Sequence, residues 1–216
     1  MAEIKACLFD LDGVIVDTAK FHYLAWRRLC NELGFDLTKE ENESLKGISR
    51  TESLDILLEK GDVSVSDEEK EELMTKKNEW YLEYVDQMEE NETLPGAVDF
   101  IKEAREAGCK TALGSASKNA VRILEALNIR DLFDAIIDGT KVSKGKPDPQ
   151  TFLLGAEALE VHPSECVVFE DAAAGVEAAI AAGMYIIGVG EEKNLYRANL
   201  VIPGFKNVGV EIFEKL

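Results

Sequence analysis

Asp10 and Asp12 stand one residue apart at the end of a short apolar run, Ile4–Phe9, with Gly13 just beyond them. Side chains two apart on a strand project to the same side. The spacing therefore predicts that both carboxylates leave the carboxyl end of a strand together, with Gly13 allowing the turn that follows. Carboxylates held close repel unless a cation or a proton intervenes, so the pair reads either as half of a cation site or as two turn aspartates. A second acidic pair, Glu170-Asp171, directly follows the apolar run Cys166–Phe169. Four carboxylates from two strand ends make an oxygen-rich set that suits a hard cation such as Mg²⁺. The other reading of Glu170 and Asp171 is acids at a helix start, complementing its dipole.

Two further stretches complement anions. Gly114-Ser115-Ala116-Ser117-Lys118-Asn119 follows the run Lys110–Leu113. Hydroxyls and N–H groups at a helix start suit phosphate, although Ser117 also reads as a simple cap. Lys144-Gly145-Lys146-Pro147-Asp148-Pro149 offers two lysines. A solvated surface is the default for any lysine. Lys146 is chosen here because the rigid Pro-x-Pro follows it; an ammonium among carboxylates offsets charge and grips a phosphoryl group in transfer.

The elements that must position these groups alternate. Ile4–Phe9, Lys110–Leu113, Ala135–Ile137, Cys166–Phe169 and Tyr185–Val189 read as buried strands, and Leu200–Ile202 as a further edge strand. Ala97, Phe100, Ile101 and Ala104 fall at helical spacing between Pro95 and Gly108; Ala120, Ile123, Leu124 and Leu127 repeat it, as do Val176, Ala179 and Ile180 before Gly183. This alternation predicts an α/β fold with a Rossmann-like, doubly wound parallel sheet, which binds ligands at the carboxyl ends of its strands.

From about Thr18 to Asn91 the alternation stops. Thr18 reads as the N-cap of a helix carrying Phe21, Leu24, Ala25, Leu29 and Leu33 and ending near Gly34. Further helices are expected over Lys39–Leu45, Arg50–Glu59 and Asp67–Met88, with the charged run Asp67–Glu72 as a solvated face. The expected organisation is a core of residues 1–16 and 92–216 with an inserted α-helical cap domain, 17–91. Its two linkers, near Val14–Asp17 and Glu89–Pro95, would act as a hinge, and a hinged cap can exclude water from a site.

In this order the four motifs resemble the haloacid-dehalogenase-like superfamily of aspartate-nucleophile phosphotransferases, over the whole chain. The resemblance implies that Asp10 attacks phosphorus and that Asp12 is the general acid/base. It implies that Ser115, the Ala116 N–H and Lys146 hold phosphoryl oxygens, and that Asp10, Asp12, Glu170 and Asp171 form the Mg²⁺ site. Asp17-Thr18, His22, Trp26 and Leu45-Lys46-Gly47-Ile48-Ser49-Arg50, with Ser115–Asn119, are similar to the branch whose members are mutases of β-glucose phosphates. That likeness implies interconversion of β-D-glucose 1-phosphate and 6-phosphate through an aspartyl phosphate and a β-glucose 1,6-bisphosphate. Arg50 would bind the phosphate not being transferred; Lys46, Gly47 and His22 the sugar; Asn119 and Lys118 a distal phosphate; Thr18 and Trp26 belong to the same set. Each has a plainer alternative: core packing for His22 and Trp26, a surface ion pair for Arg50, a surface position for Lys46. A phosphatase of a small sugar phosphate would use the same core, and a non-catalytic binder is argued against by the intact Asp10, Asp12, Lys146, Glu170 and Asp171. Where the superfamily often reads Glu-Asp-Ser, this chain has Glu170-Asp171-Ala172, and Gly114 replaces a more usual alanine.

The bulk properties narrow the partners. With 42 acidic and 24 basic residues among 216, the formal net charge is −18. Such a surface repels nucleic acid and anionic membranes. No apolar run reaches membrane-span length, and no signal peptide is expected, because Met-Ala-Glu-Ile-Lys runs straight into Ala6-Cys7-Leu8-Phe9. Cys7, Cys30, Cys109 and Cys166 are scattered without metal spacing, as expected of buried free thiols in the cytoplasm. A monomer acting on small sugar phosphates and bisphosphates is expected.

Overall fold

The computed structural model describes residues 3–45 and 48–216. Strand β1 (Ala6–Phe9) opens the fold and is buried along its whole length. Four helices follow: α1 (Ala19–Glu32), α2 (Lys39–Glu43), α3 (Arg50–Lys60) and α4 (Asp67–Val85). The chain then alternates through α5 (Ala97–Glu106), β2 (Lys110–Gly114), α6 (Ala120–Ala126), β3 (Ala135–Ile137), α7 (Gln150–Leu159), β4 (Cys166–Glu170), α8 (Ala173–Ala182), β5 (Tyr185–Val189), α9 (Glu192–Leu195) and β6 (Leu200–Ile202). It divides into two compact units, Met1–Asp17 with Glu89–Leu216, and Thr18–Met88.

In the first unit all strand pairs are parallel, in the order β3-β2-β1-β4-β5-β6. The order runs outward from β1 in both directions, so the sheet reverses between β1 and β4, where such sheets open a crevice at their carboxyl edge. Strands buried on both faces explain the continuous apolar runs. One face carries Leu8, Ala112, Phe152, Val168 and Val176 in a single apolar cluster. The other is aromatic: the rings of Phe9 and Phe169 stack at 4.7 Å, and Phe100 meets Phe169 edge-on at 5.0 Å. Such pairs add about 0.5–1.5 kcal/mol beyond their burial.

The second unit is helical. Ser66 and Thr38 close capping boxes with Glu69 and Glu41, and the Ser49 hydroxyl accepts the Glu52 N–H, so α4, α2 and α3 begin at serine or threonine. The structure corrects the reading of α1. Thr18 precedes it but has helical dihedrals, makes no side-chain capping bond and is fully buried. Leu24 is exposed, and Ala25, Trp26, Leu29 and Cys30 form the buried stripe. Helix α7 had no counterpart in the sequence reading. Asp67, Glu68, Glu69, Glu71 and Glu72 are exposed, as expected of a solvated face. All four cysteines are free and buried. Among the described residues, no helix is long and apolar enough to cross a membrane.

Val14, Ile15 and Val16 are buried, and their backbone is fastened: the Gly13 N–H donates to the Val16 carbonyl, the Leu94 N–H to the Ile15 carbonyl, and Val16 pairs with Thr93. The segment expected as the first linker is therefore mostly part of the first unit's packing.

Candidate active site

The Phe9–Phe169 stack lies directly behind the chemistry. These residues are partners in the β1–β4 register, and each precedes an acid. The Asp10 N–H donates to the Phe169 carbonyl at 3.0 Å, extending the pairing one residue past the strand. Asp10 and Glu170 thus emerge side by side at the point where strand order reverses.

Lys146 joins them. Its Nζ donates to Asp10 Oδ1 at 2.6 Å and to Glu170 Oε2 at 2.7 Å. The three side chains are 10, 11 and 2% exposed, in the order Lys146, Asp10, Glu170. The ammonium also sits 4.8 Å from the centre of the Phe152 ring. Lys144, the other lysine of the motif, is exposed, its ammonium 3.6 Å from Asp148. Carboxylate oxygens of Asp10, Glu170 and Asp171 lie within 4.8 Å of one another.

The charge balance of this cluster favours a cation. Burial pushes the Asp10 carboxyl well above its usual range, while Lys146 beside it pulls the other way and Glu170 and Asp171 push with burial. Asp171 is pushed up to about 7, by burial first and Glu170 second. Lys146 is raised by its two carboxylate partners against burial, so it remains an ammonium. Three acids around one ammonium leave negative charge in excess. An all-oxygen donor set with that excess fits a hard divalent cation.

Asp12 stands outside this group of converging oxygens. The strand ends at Phe9, and residues 11–16 coil into a turn in which Asp12 bridges to Val16 and Gly13 has φ of 78°. Strand alternation does not extend to position 12, so Asp12 follows this turn and not the line of the strand. Asp12 is still near enough to Asp171 to raise its pKa.

Two glycines shape the cluster by lacking a side chain. A Cβ at Gly13 would collide with the Asp171 carboxylate, and a Cβ at Gly175 with that of Glu170. Gly175 escaped the sequence reading because a glycine inside a helix signals close approach without saying to what. The Ala172 N–H donates to Glu170 Oε1 at 3.1 Å, so backbone orients Glu170 where no hydroxyl is present. At Gly114 a Cβ would press on the Phe152 ring.

The Ser115–Asn119 loop is folded on its own hydroxyls. Ser115 Oγ accepts the Ser117 N–H at 3.1 Å, and Ser117 Oγ accepts the Asn119 N–H at 3.2 Å. Asn119, not Ser117, precedes α6 and makes no side-chain capping bond. Gly139 donates to the Ser117 carbonyl, and a Cβ there would strike the Ala116 carbonyl. Ser115 is buried, whereas Ala116 and Lys118 are exposed.

In the helical unit a second cluster forms between α1 and α4. Lys77 is buried, donates to His22 Nδ1 at 2.8 Å and lies over the rings of Trp26 and Tyr81 at 4.6 and 5.0 Å. An ammonium has no acceptor, so Nδ1 is the acceptor and the ring proton is on Nε2. Burial, then Lys77 and Arg50, hold His22 well below its usual pKa, keeping it neutral. Trp26 is buried, with the Lys77 ammonium over its ring. Arg50 donates to the neutral Asn78 at 2.8 Å and is partly buried, unlike a surface ion pair. Lys46 and Gly47 lie outside the described residues. Lys77 and Asn78 escaped the sequence reading because they sit in a charged helix whose pattern resembled solvated surface.

Comparison with known proteins agrees with this chemistry. The family model of haloacid dehalogenase-like hydrolases matches residues 4–183. A curated relative, beta-phosphoglucomutase of Bacillus subtilis, is 40% identical over 98% of this chain and 95% of its own. The phosphorylated carbohydrates phosphatase of Thermotoga maritima is 34% identical over 84% of this chain and 82% of its own. The crystal structure of beta-phosphoglucomutase from Clostridium difficile superposes with a TM-score of 0.91 at 45% identity, covering 98% of this chain and 96% of that one.

Proposed function

The chain belongs to the haloacid dehalogenase-like hydrolase family, and from that premise we propose that it is a phosphomutase interconverting β-D-glucose 1-phosphate and β-D-glucose 6-phosphate. The phosphoryl-transfer part rests on one geometric observation: a buried ammonium bridging Asp10 and Glu170 at the sheet's reversal point. The choice of mutase over hydrolase rests on the near full-length match to one mutase against the partial match to a phosphatase.

In this reading Asp10 attacks the phosphorus of β-glucose 1,6-bisphosphate. A bond forms from its carboxylate oxygen to phosphorus, and the bond to the sugar oxygen breaks. Asp12 gives that oxygen its proton and later takes one from the opposite hydroxyl. Lys146, the Ser115 hydroxyl and the Ala116 N–H share the charge on the equatorial oxygens. Asp10, Glu170 and Asp171, with Asp12, would hold Mg²⁺, which supplies further neutralisation of the transferring phosphoryl group when bound. Arg50 binds the phosphate not in transfer, with Lys118 and Asn119 on a distal phosphate. Neutral His22, held by Lys77, offers its Nε2–H to the sugar, which Lys46 and Gly47 also contact; Thr18 and Trp26 support that face. Residues 17–91 serve as the cap domain and 1–16 with 92–216 as the catalytic domain. The free buried thiols support a cytoplasmic location in this reading, with the enzyme working as a monomer.

The test supplies β-glucose 1-phosphate, Mg²⁺ and a trace of bisphosphate. Glucose 6-phosphate is the expected product. Stoichiometric free phosphate would establish the phosphatase instead, and no turnover would leave a binding protein.

A further inference from the structure

The loop that carries Lys146 is tied to the first residue of α7 by a single side-chain oxygen. Gln150 Oε1 accepts the backbone N–H groups of Ser143 and Lys144, each at 2.9 Å, and the Ser143 hydroxyl at 3.2 Å. Two of these partners are backbone donors only, which fixes the amide oxygen, not the nitrogen, at this point. From the other side, the Gln150 N–H donates to Asp148 Oδ1 and the Asp148 N–H to the Gly145 carbonyl, both at 3.0 Å. Residues 143–150 are therefore closed into a ring. Its base is α7, which is anchored under the sheet by buried Phe152, Ala156 and Leu159.

Lys146 stands midway round that ring. A lysine is a point charge on a flexible four-carbon stem, so its aim depends on how firmly its Cα is held. Without the Gln150 oxygen, the ring opens between Lys144 and α7. Ser143 and Lys144 are exposed residues, so their N–H groups would turn to water at little cost. The loss would then fall on placement more than on stability.

We infer that Gln150 is a positioning residue for phosphoryl transfer, its amide oxygen closing the loop that aims Lys146 at the reacting phosphoryl group. This rests on the reading of Lys146 given above. A displacement of about 1 Å in a catalytic group can cost on the order of 100-fold in rate, and a loosened loop forfeits part of that.

The experiment compares wild type, Gln150→Met, which keeps the volume without a carbonyl acceptor, and Gln150→Glu, which keeps an acceptor. The rate of labelling by acetyl phosphate and the kcat and KM for β-glucose 1-phosphate are measured with Mg²⁺. Labelling and kcat should fall about 10-fold in Gln150→Met with KM within about 3-fold, and Gln150→Glu should recover to within about 3-fold of wild type. Amide exchange at Ser143 and Lys144 should quicken in Gln150→Met alone. Should that variant not fold, Gln150→Asn, whose acceptor is one methylene shorter, should show the same changes at smaller size. A folded Met or Asn variant that is labelled as fast as wild type overturns the inference, as does a Glu variant as slow as Met. If wild type itself takes no label, the phosphoryl-transfer reading falls and this inference with it; a labelled wild type with an unaffected variant removes the inference alone.

Discussion

Replacing Lys146 by methionine separates its structural from its chemical contribution. The substitution keeps most of the side-chain volume and deletes the charge between Asp10 and Glu170. All three side chains are nearly excluded from water, so water cannot fully screen what remains. Removing one partner of a buried ion pair typically costs about 3–5 kcal/mol, because the other charge is left uncompensated. Here two carboxylates are left beside a third, Asp171, which places the expected loss at the upper end of that range. The sign of its pH dependence follows. Without the ammonium, burial holds the Asp10 and Asp171 carboxyls above their unfolded pKa values, so the penalty is full above the raised values and fades as pH falls through them. Denaturant unfolding of the metal-free protein should show the full loss at pH 8 and a smaller one near pH 5. Mg²⁺ should restore part of it at pH 8. Phosphoenzyme formation should fall about 100–1,000-fold even with Mg²⁺, as when one donor to a developing anion is removed. A Lys146→Met protein as stable as wild type at pH 8 would show that the ammonium bridge is not the element holding these acids together, and the account of the site would fail.

Asp171, with its pKa near 7 against an ordinary 3.8, should make the metal-free protein lose stability as pH rises from about 4 to about 7 and then level off. Mg²⁺ stabilisation should grow over the same window, and calorimetry should detect proton release on Mg²⁺ binding at pH 6 but little at pH 8. Gly175→Ala should force Glu170 from its place, costing about 1–3 kcal/mol of stability and about 10-fold in Mg²⁺ affinity by titration; an unchanged affinity would show that Glu170 does not depend on that space. Arg50→Ala should raise the KM for bisphosphate about 10–100-fold, the worth of a charge-assisted hydrogen bond, while labelling by acetyl phosphate stays near wild type.

The sheet was legible because both faces of its strands are buried. Ala135–Ile137, Tyr185–Val189 and Leu200–Ile202 match the expected runs residue for residue, and the acids after two of the runs mark the strand ends. What escaped the sequence depends on three-dimensional neighbours. Leu24 satisfies the helical period of α1 yet is exposed, because period identifies a stripe without saying where its edge falls. Thr18 has the residue type of a cap but begins the helix in helical dihedrals, so its hydroxyl is not offered to the next turn. Helix α7 follows Pro-x-Pro and reads as a loop continuation until Phe152, Ala156 and Leu159 are seen in the core.

The same limit explains the unevenness of the site. Asp10, Glu170 and Lys146 were readable because their types, placed after strands or before prolines, admit few uses. Lys77 is the opposite case: a lysine in a helix rich in Glu and Lys, set apart from its exposed neighbours by the rings of Trp26 and Tyr81 against its ammonium and the nitrogen of His22 beside it. Such a lysine tolerates burial because its charge is met by aromatic faces and a lone pair. That arrangement also makes His22 a donor through Nε2 alone at neutral pH. A glycine such as Gly175 carries no chemistry of its own, yet it fixes how close Glu170 can lie to α8. Residues that act by their chemistry can be read from type and spacing; residues that act by the room they leave, or by what they rest against, become visible only when the fold brings their partners to them.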